Sequence, residues 1–169
     1  MSSQHAHDRT KVYNGSCHCG ACQYQCTGTP FFRVICHCSI CTRISGGIAV
    51  AFVGFDTPNV ELLAGSEHMR GYKATERMER FHCQICGANV YNESLVPDRP
   101  FRDMPLANFR ADDTGAIIGL DELKPDGHIN FDACQACYSD VFKHDGLIKF
   151  SAMPGSVTVE NHATPSDTV

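Results

Sequence analysis

The sequence predicts a mainly β protein: a single zinc-stabilised domain with few short helices. Three observations carry that expectation. The length suits one domain, short alternating stretches recur between turn residues, and cysteines cluster at metal-ligand spacings. With 169 residues the chain has room for one hydrophobic core and hardly for two. Apolar residues make up 43%, within the globular range.

The strand signals run in order. "ACQYQC" alternates, with Cys22, Tyr24 and Cys26 on one face and Gln23 and Gln25 on the other. "IAVAFVGF" is a continuous apolar run ending near "DTPN", as suits a buried strand and its turn. In "VELLAGSEHMRGYKAT", Gly65 and Gly71 read as turn residues around short strands. "RMERFHCQICGANVYN" reads as a strand entering a cysteine turn and leaving as another strand. Residues 96–124 are irregular, a long loop with an embedded strand "MPLANFR". "GHINFDA" alternates again. Helix signals are thin: one turn at "SICTRIS" and a short piece at "ACYSDVFK". The domain is expected over residues 13–155, between flexible tails at 1–12 and 156–169, where "SVTVE" can add a short strand.

Composition narrows the function. Fourteen basic against 19 acidic residues give a net charge of −5, with no basic run, which argues against nucleic acid as a partner. The longest apolar stretch, "GGIAVAFVGF", is far too short to span a bilayer, so no membrane partner is expected. The opening "MSSQHAHDRT" has no apolar core of a secretory signal, and the expectation is a cytoplasmic, reducing location. Eleven cysteines in such surroundings read as zinc ligands before disulfides. The C-x-C spacing agrees, because it suits one shared metal ion better than an unstrained disulfide.

The cysteines sort into sets. Cys17 and Cys19 lie in "CHCGA", and Cys83 and Cys86 in "CQICG". In each, a glycine follows the second cysteine and allows a tight turn whose amides face the sulfurs. Two such half-sites make one tetrahedral structural zinc site. Cys22 and Cys26 read as packed thiols beside Tyr24, with Cys22 as a metal ligand the alternative. Cys36, Cys38 and Cys41 then stand as three cysteines without an obvious fourth. That is the pattern of a second zinc open to an incoming thiol. "SGG", at residues 45–47, leaves room for a ligand against the backbone.

"GSCHCGA", "ICHCSICTRISGG", "FHCQICGANVY", "PDGHINFD" and "DGLIKF" together resemble the successive blocks of the GFA family. That family holds glutathione-dependent formaldehyde-activating enzymes and relatives of centromere protein V. The resemblance implies a β-tent fold, a structural zinc at Cys17, Cys19, Cys83 and Cys86, and a second zinc at Cys36, Cys38 and Cys41. It implies a carbon–sulfur lyase, of the S-(hydroxymethyl)glutathione synthase kind, acting on a glutathione-like thiol adduct of a small aldehyde. The catalytic acid or base, the oligomeric state and the direction of reaction carry no sequence signal. This chain departs from the family at "ACQACYSD", where Cys134 or Cys137 would close the second site, or else form a packed or surface pair. The alternative function is a non-catalytic, zinc-stabilised protein-binding module. A zinc ribbon from Cys83, Cys86, Cys134 and Cys137 is a weaker reading. Among nine histidines, His18, His37 and His82 read as surface groups or groups just behind the metal ligands, and His128 as a pocket residue.

Overall fold

The strands follow the alternation closely. This computed structural model describes residues 10–133, 141–142 and 144–159. In chain order come β1 (Val12–Ser16), β2 (Gln23–Thr27), β3 (Phe32–Cys36), β4 (Val50–Asp56), β5 (Val60–Ala64) and β6 (Met69–Thr75). They continue as β7 (Met78–Cys83), β8 (Asn89–Ser94), β9 (Phe101–Pro105), β10 (Gly127–Ile129) and β11 (Ile148–Lys149). Among the described residues the short helices α1 (Ser39–Ser45) and α2 (Leu120–Leu123) are interspersed. The fold is therefore mainly β, and among the described residues no helix is long and apolar enough to cross a membrane. The chain divides into two compact units, Met1–Arg33 with Ala51–Pro125, and Val34–Val50 with Asp126–Val169.

In the first unit β2 pairs antiparallel with β1 on one side and β5 on the other. Its alternation does what the sequence indicates: Cys22, Tyr24 and Cys26 are fully buried and Gln23 is exposed. A second run of antiparallel neighbours takes the order β4-β9-β8-β7-β6. Across β4 and β9, Val53 faces Met104 in register, and both are fully buried. Aromatic rings fill the core: Tyr24 meets Phe109 edge-on at 5.7 Å between centroids, and Tyr13 meets Phe55 at 5.9 Å. Burial of each such side chain is worth roughly 1.5–3 kcal/mol.

The second unit is built on β3, β10 and β11, which pair in parallel in the order β11-β10-β3. Helix α1 follows β3 and buries none of its residues. Its β-branched Ile40, Thr42 and Ile44 are weak helix formers, so its ends matter. At the N-terminus the Cys38 sulfur accepts the Cys41 N–H at 3.3 Å. At the C-terminus Gly46 turns left-handed, with φ of 70°, and its N–H donates to Thr42 O at 2.9 Å.

Four sequence expectations need correction. Gly71 lies inside β6 rather than in a turn. Its backbone is not left-handed, and a Cβ there would meet chiefly the movable carboxylate end of Glu79 on β7. The strand expected at "MPLANFR" ends at Pro105, and Leu106–Asn108 forms a 3-10 turn. "SICTRIS" makes a seven-residue helix rather than one turn. The 96–124 loop also contains α2, whose short run of apolar residues hid a helix anchored by the fully buried Leu123. The piece expected at "ACYSDVFK" falls mostly outside the described residues. Leu123→Ala should lower the unfolding free energy by about 2–5 kcal/mol, seen as a lower urea midpoint at unchanged slope.

Candidate metal centres

The turn after β1 and the turn between β7 and β8 are built alike. Cys17 N–H donates to Cys22 O at 2.9 Å, and Cys83 N–H donates to Ala88 O at 3.0 Å. Inside them Gly20 and Gly87 both adopt φ of 76°, and a Cβ at either would meet nothing within 4 Å. Glycine is needed there for backbone freedom alone. Both turns aim amides at sulfur. Cys22 N–H donates to Cys17 Sγ at 3.3 Å. The backbone amides of Cys86 and Ile85 hold the Cys83 thiol below its usual range, and those of Ala88 and Cys19 bring Cys86 down to about 6.

The Sγ atoms of Cys17, Cys19, Cys83 and Cys86 all lie within 4.8 Å of one another. Cys17 and Cys19 sulfurs are 3.5 Å apart, and those of Cys19 and Cys83 are 3.8 Å apart. These spacings are far beyond the ~2.05 Å of a disulfide. They match the ~3.8 Å sulfur separation of a tetrahedron with Zn–S bonds of ~2.3 Å. The donor set fits zinc. Cys22 stays outside it, with burial pushing its thiol up to about 12, as expected of a packed, neutral side chain. Cys83 and Cys86 thus converge with Cys17 and Cys19, which removes the zinc-ribbon reading. Cys134 and Cys137 lie outside the described residues.

In the second unit Cys36, Cys38 and Cys41 bring three sulfurs within 4.8 Å of one another. Cys36 ends β3, Cys38 caps α1 and Cys41 lies within its first turn. Hydrogen bonds from the Cys36 and Cys41 thiols, with the Cys41 amide, hold Cys38 down at about 2. Cys36, the thiol that donates to it, is pushed far up. The three thiols are thus unequal, with Cys38 the most readily ionised of the set. Asn130 adds a donor the sequence reading missed. It holds an unusual φ of 53°, and its Nδ2 lies 3.6 Å from Cys36 Sγ. Asparagine tolerates that left-handed geometry better than other side chains with a Cβ.

Of the two readings of His37, the structure removes the surface one: it is 2% exposed. His128 is fully buried and does not border the cleft described below. The His37 Nε2 and His128 Nδ1 atoms are 2.7 Å apart, and His128 Nε2 is 2.6 Å from Asp145 Oδ2. Lys149 Nζ donates to Asp145 Oδ1 at 2.8 Å. Phe131 and Phe142 pack edge-on against both imidazoles. Burial, reinforced by His128, lowers His37 to about 4, and burial lowers His128 despite Asp145. Burial opposes ionisation of Asp145, yet Lys149, the Leu147 amide and His128 hold it below its usual range. Asp145 and Lys149 lie in "DGLIKF", but nothing in that block's spacing announces a pairing with His128.

A cleft of about 270 Å³ opens beside α1, bordered by His37, Ser39, Thr42, Arg43, Gly46 and Gly47 among others. The three sulfurs are not in its lining; it begins one residue away, at His37 and Ser39. A larger cleft of about 870 Å³ in the other unit passes Cys17, Tyr24 and Arg110. Its cysteine belongs to the four-sulfur set.

The family model described as "Glutathione-dependent formaldehyde-activating enzyme" matches residues 12–130. The chain belongs to the GFA family. Among GFA relatives, a Halomonas elongata protein named "Putative glutathione-dependent formaldehyde-activating enzyme" is 33% identical over 88 aligned positions. The alignment covers 47% of this chain and 55% of that protein, so this GFA chain spans about half the length of the curated relative it matches. The crystal structure of a Rhodobacter sphaeroides protein is similar at 18% identity and a TM-score of 0.49. It is covered over 96% of its length and covers 62% of this chain, a likeness too distant to carry an argument.

Metal analysis should return about two zinc ions per chain. Cys38→Ser should lower that to about one and leave the first unit folded, whereas Cys83→Ser should abolish cooperative unfolding. A single ion in the unaltered protein would remove the three-sulfur site.

Proposed function

We propose that the chain is a zinc-dependent enzyme of the carbon–sulfur lyase type. Its substrate would be the adduct of a glutathione-like thiol with a small aldehyde such as formaldehyde. The observation that carries this reading is the inequality of the two sulfur sets, four donors in one and three in the other among the described residues. Membership of the GFA family supports glutathione-related chemistry. A reducing cytoplasm, where such a thiol stays reduced, suits a chain with eleven cysteines.

A zinc ion held by Cys36, Cys38 and Cys41 would supply a fourth position at which an incoming thiol is kept deprotonated. Three anionic donors favour holding a nucleophile over activating water. The remaining work falls to the chain. Gly46 and Gly47 leave the cleft wall free of side chains, and Arg43, exposed on its border, places a cation for a ligand carboxylate. In the addition direction the thiol sulfur forms a bond to the aldehyde carbon, and the carbonyl π pair moves to oxygen. The proton lost from the thiol returns to that oxygen; the lyase direction is the reverse. Alignment of sulfur and carbon in one cleft supplies much of the rate advantage.

The test is cobalt substitution. Glutathione should alter the thiolate-to-cobalt absorption of the unaltered protein, and Cys38→Ser should abolish that change. Arg43→Ala should weaken glutathione binding about tenfold without changing metal content. An absorption spectrum indifferent to glutathione would end the open-site reading and favour a non-catalytic binding module.

A further inference from the structure

The interior of the second unit contains a chain of polar groups that no metal role uses. Lys149 is 3% exposed, and its ammonium donates to Asp145 Oδ1 at 2.8 Å and to Leu147 O at 2.9 Å. One cation and one anion balance each other there. A further charge on the fully buried His128 would give this buried cluster two cations to one anion, so its ring is neutral. Asp145 Oδ2 can only accept, at 2.6 Å, so His128 Nε2 carries the ring hydrogen and Nδ1 a lone pair. That lone pair lies 2.7 Å from His37 Nε2, which therefore donates. With its hydrogen on Nε2, a neutral His37 leaves Nδ1 as a bare acceptor.

That Nδ1 is buried and has no hydrogen-bond partner among the described residues. An unpaired buried acceptor is costly, and an apolar ring would fill the space between Phe131 and Phe142 without the cost. His37 is not a metal donor, because it falls outside the group of mutually close ligand atoms formed by Cys36, Cys38 and Cys41. It borders the cleft, and its own N–H is tied to Ile129 O at 3.1 Å.

We propose that Lys149, Asp145 and His128 lock the tautomer of His37 so that Nδ1 receives an N–H or O–H donor of the thiol ligand or its aldehyde adduct. This rests on the three-sulfur site binding such a thiol. Lys149, Asp145 and His128 are positioning residues; His37 is the one that touches the ligand.

The experiment uses the full, zinc-loaded chain carrying nitrogen-15 histidine, with two-bond proton–nitrogen correlations reporting each ring's tautomer. His37 should show a protonated Nε2 and a bare Nδ1. Adding glutathione with formaldehyde should move the Nδ1 resonance and leave Nε2 in place. Asp145→Asn should shift the tautomer ratio about tenfold toward the Nδ1–H form and raise KM more than it lowers kcat. His37→Asn, which keeps an acceptor near the Nδ1 position, should retain more affinity than His37→Ala. A proton on Nδ1 in the resting protein overturns the proposal whatever the thiol does. So does an unmoved Nδ1 when the cobalt absorption shows the thiol bound. A thiol that leaves the cobalt absorption unchanged overturns the reading of the three-sulfur site and the ligand role of His37 with it. The resting tautomer still decides whether the Lys149-to-His37 chain is set as described.

Discussion

Sulfurs held 3.5–3.8 Å apart cannot all carry charge without a cation among them. At an effective dielectric constant of about 20, two thiolates at that distance repel by roughly 4 kcal/mol. Every feature of the first metal centre answers that constraint. Two hairpin turns converge from segments 64 residues apart, each aiming backbone amides at sulfur. The aromatic core of Tyr13, Tyr24, Phe55 and Phe109 holds the strands that carry those turns. An ion held there and the core would be mutually dependent: one offsetting the charge, the other fixing the geometry.

The second unit solves a different problem with less apolar material. Its buried set includes His37, His128 and Lys149, and α1 contributes no buried residue. Order there comes from specific polar partnerships, each with a fixed donor and acceptor. Such an interior is poor at supplying bulk stability and good at imposing one arrangement. Such a setting suits the proposed site, whose three donors would stay in place while a fourth group comes and goes.

What was legible in the sequence was whatever acts through local spacing. Alternation located β2 and its buried face, and the glycine after each second cysteine located the two similar turns. Cysteine spacing also grouped the sulfurs correctly, although the converging segments are distant in sequence. What escaped notice acts through space. Gly71 looks like a turn residue until it is seen paired with Phe81 inside the β6–β7 ladder. Leu123 looks like loop until its burial is known. The His128–Asp145–Lys149 contacts join β10 to β11 and the loop before it, and nothing in the spacing marks them. The position of His37 between two cysteines leaves open a surface or a buried ring, and its partner His128 is what settles it inward.

Helix α1 draws these themes together. Its residues have little intrinsic taste for helix and no buried face, and its first turn is fastened to the sulfur of Cys38. With an ion on the three sulfurs, secondary structure and ion supply would be one variable in this stretch. When the cell runs short of the ion, this segment would be the first to loosen and the first that a protease could thread. Scarcity would be converted into removal of the chain rather than into an idle stock of empty protein.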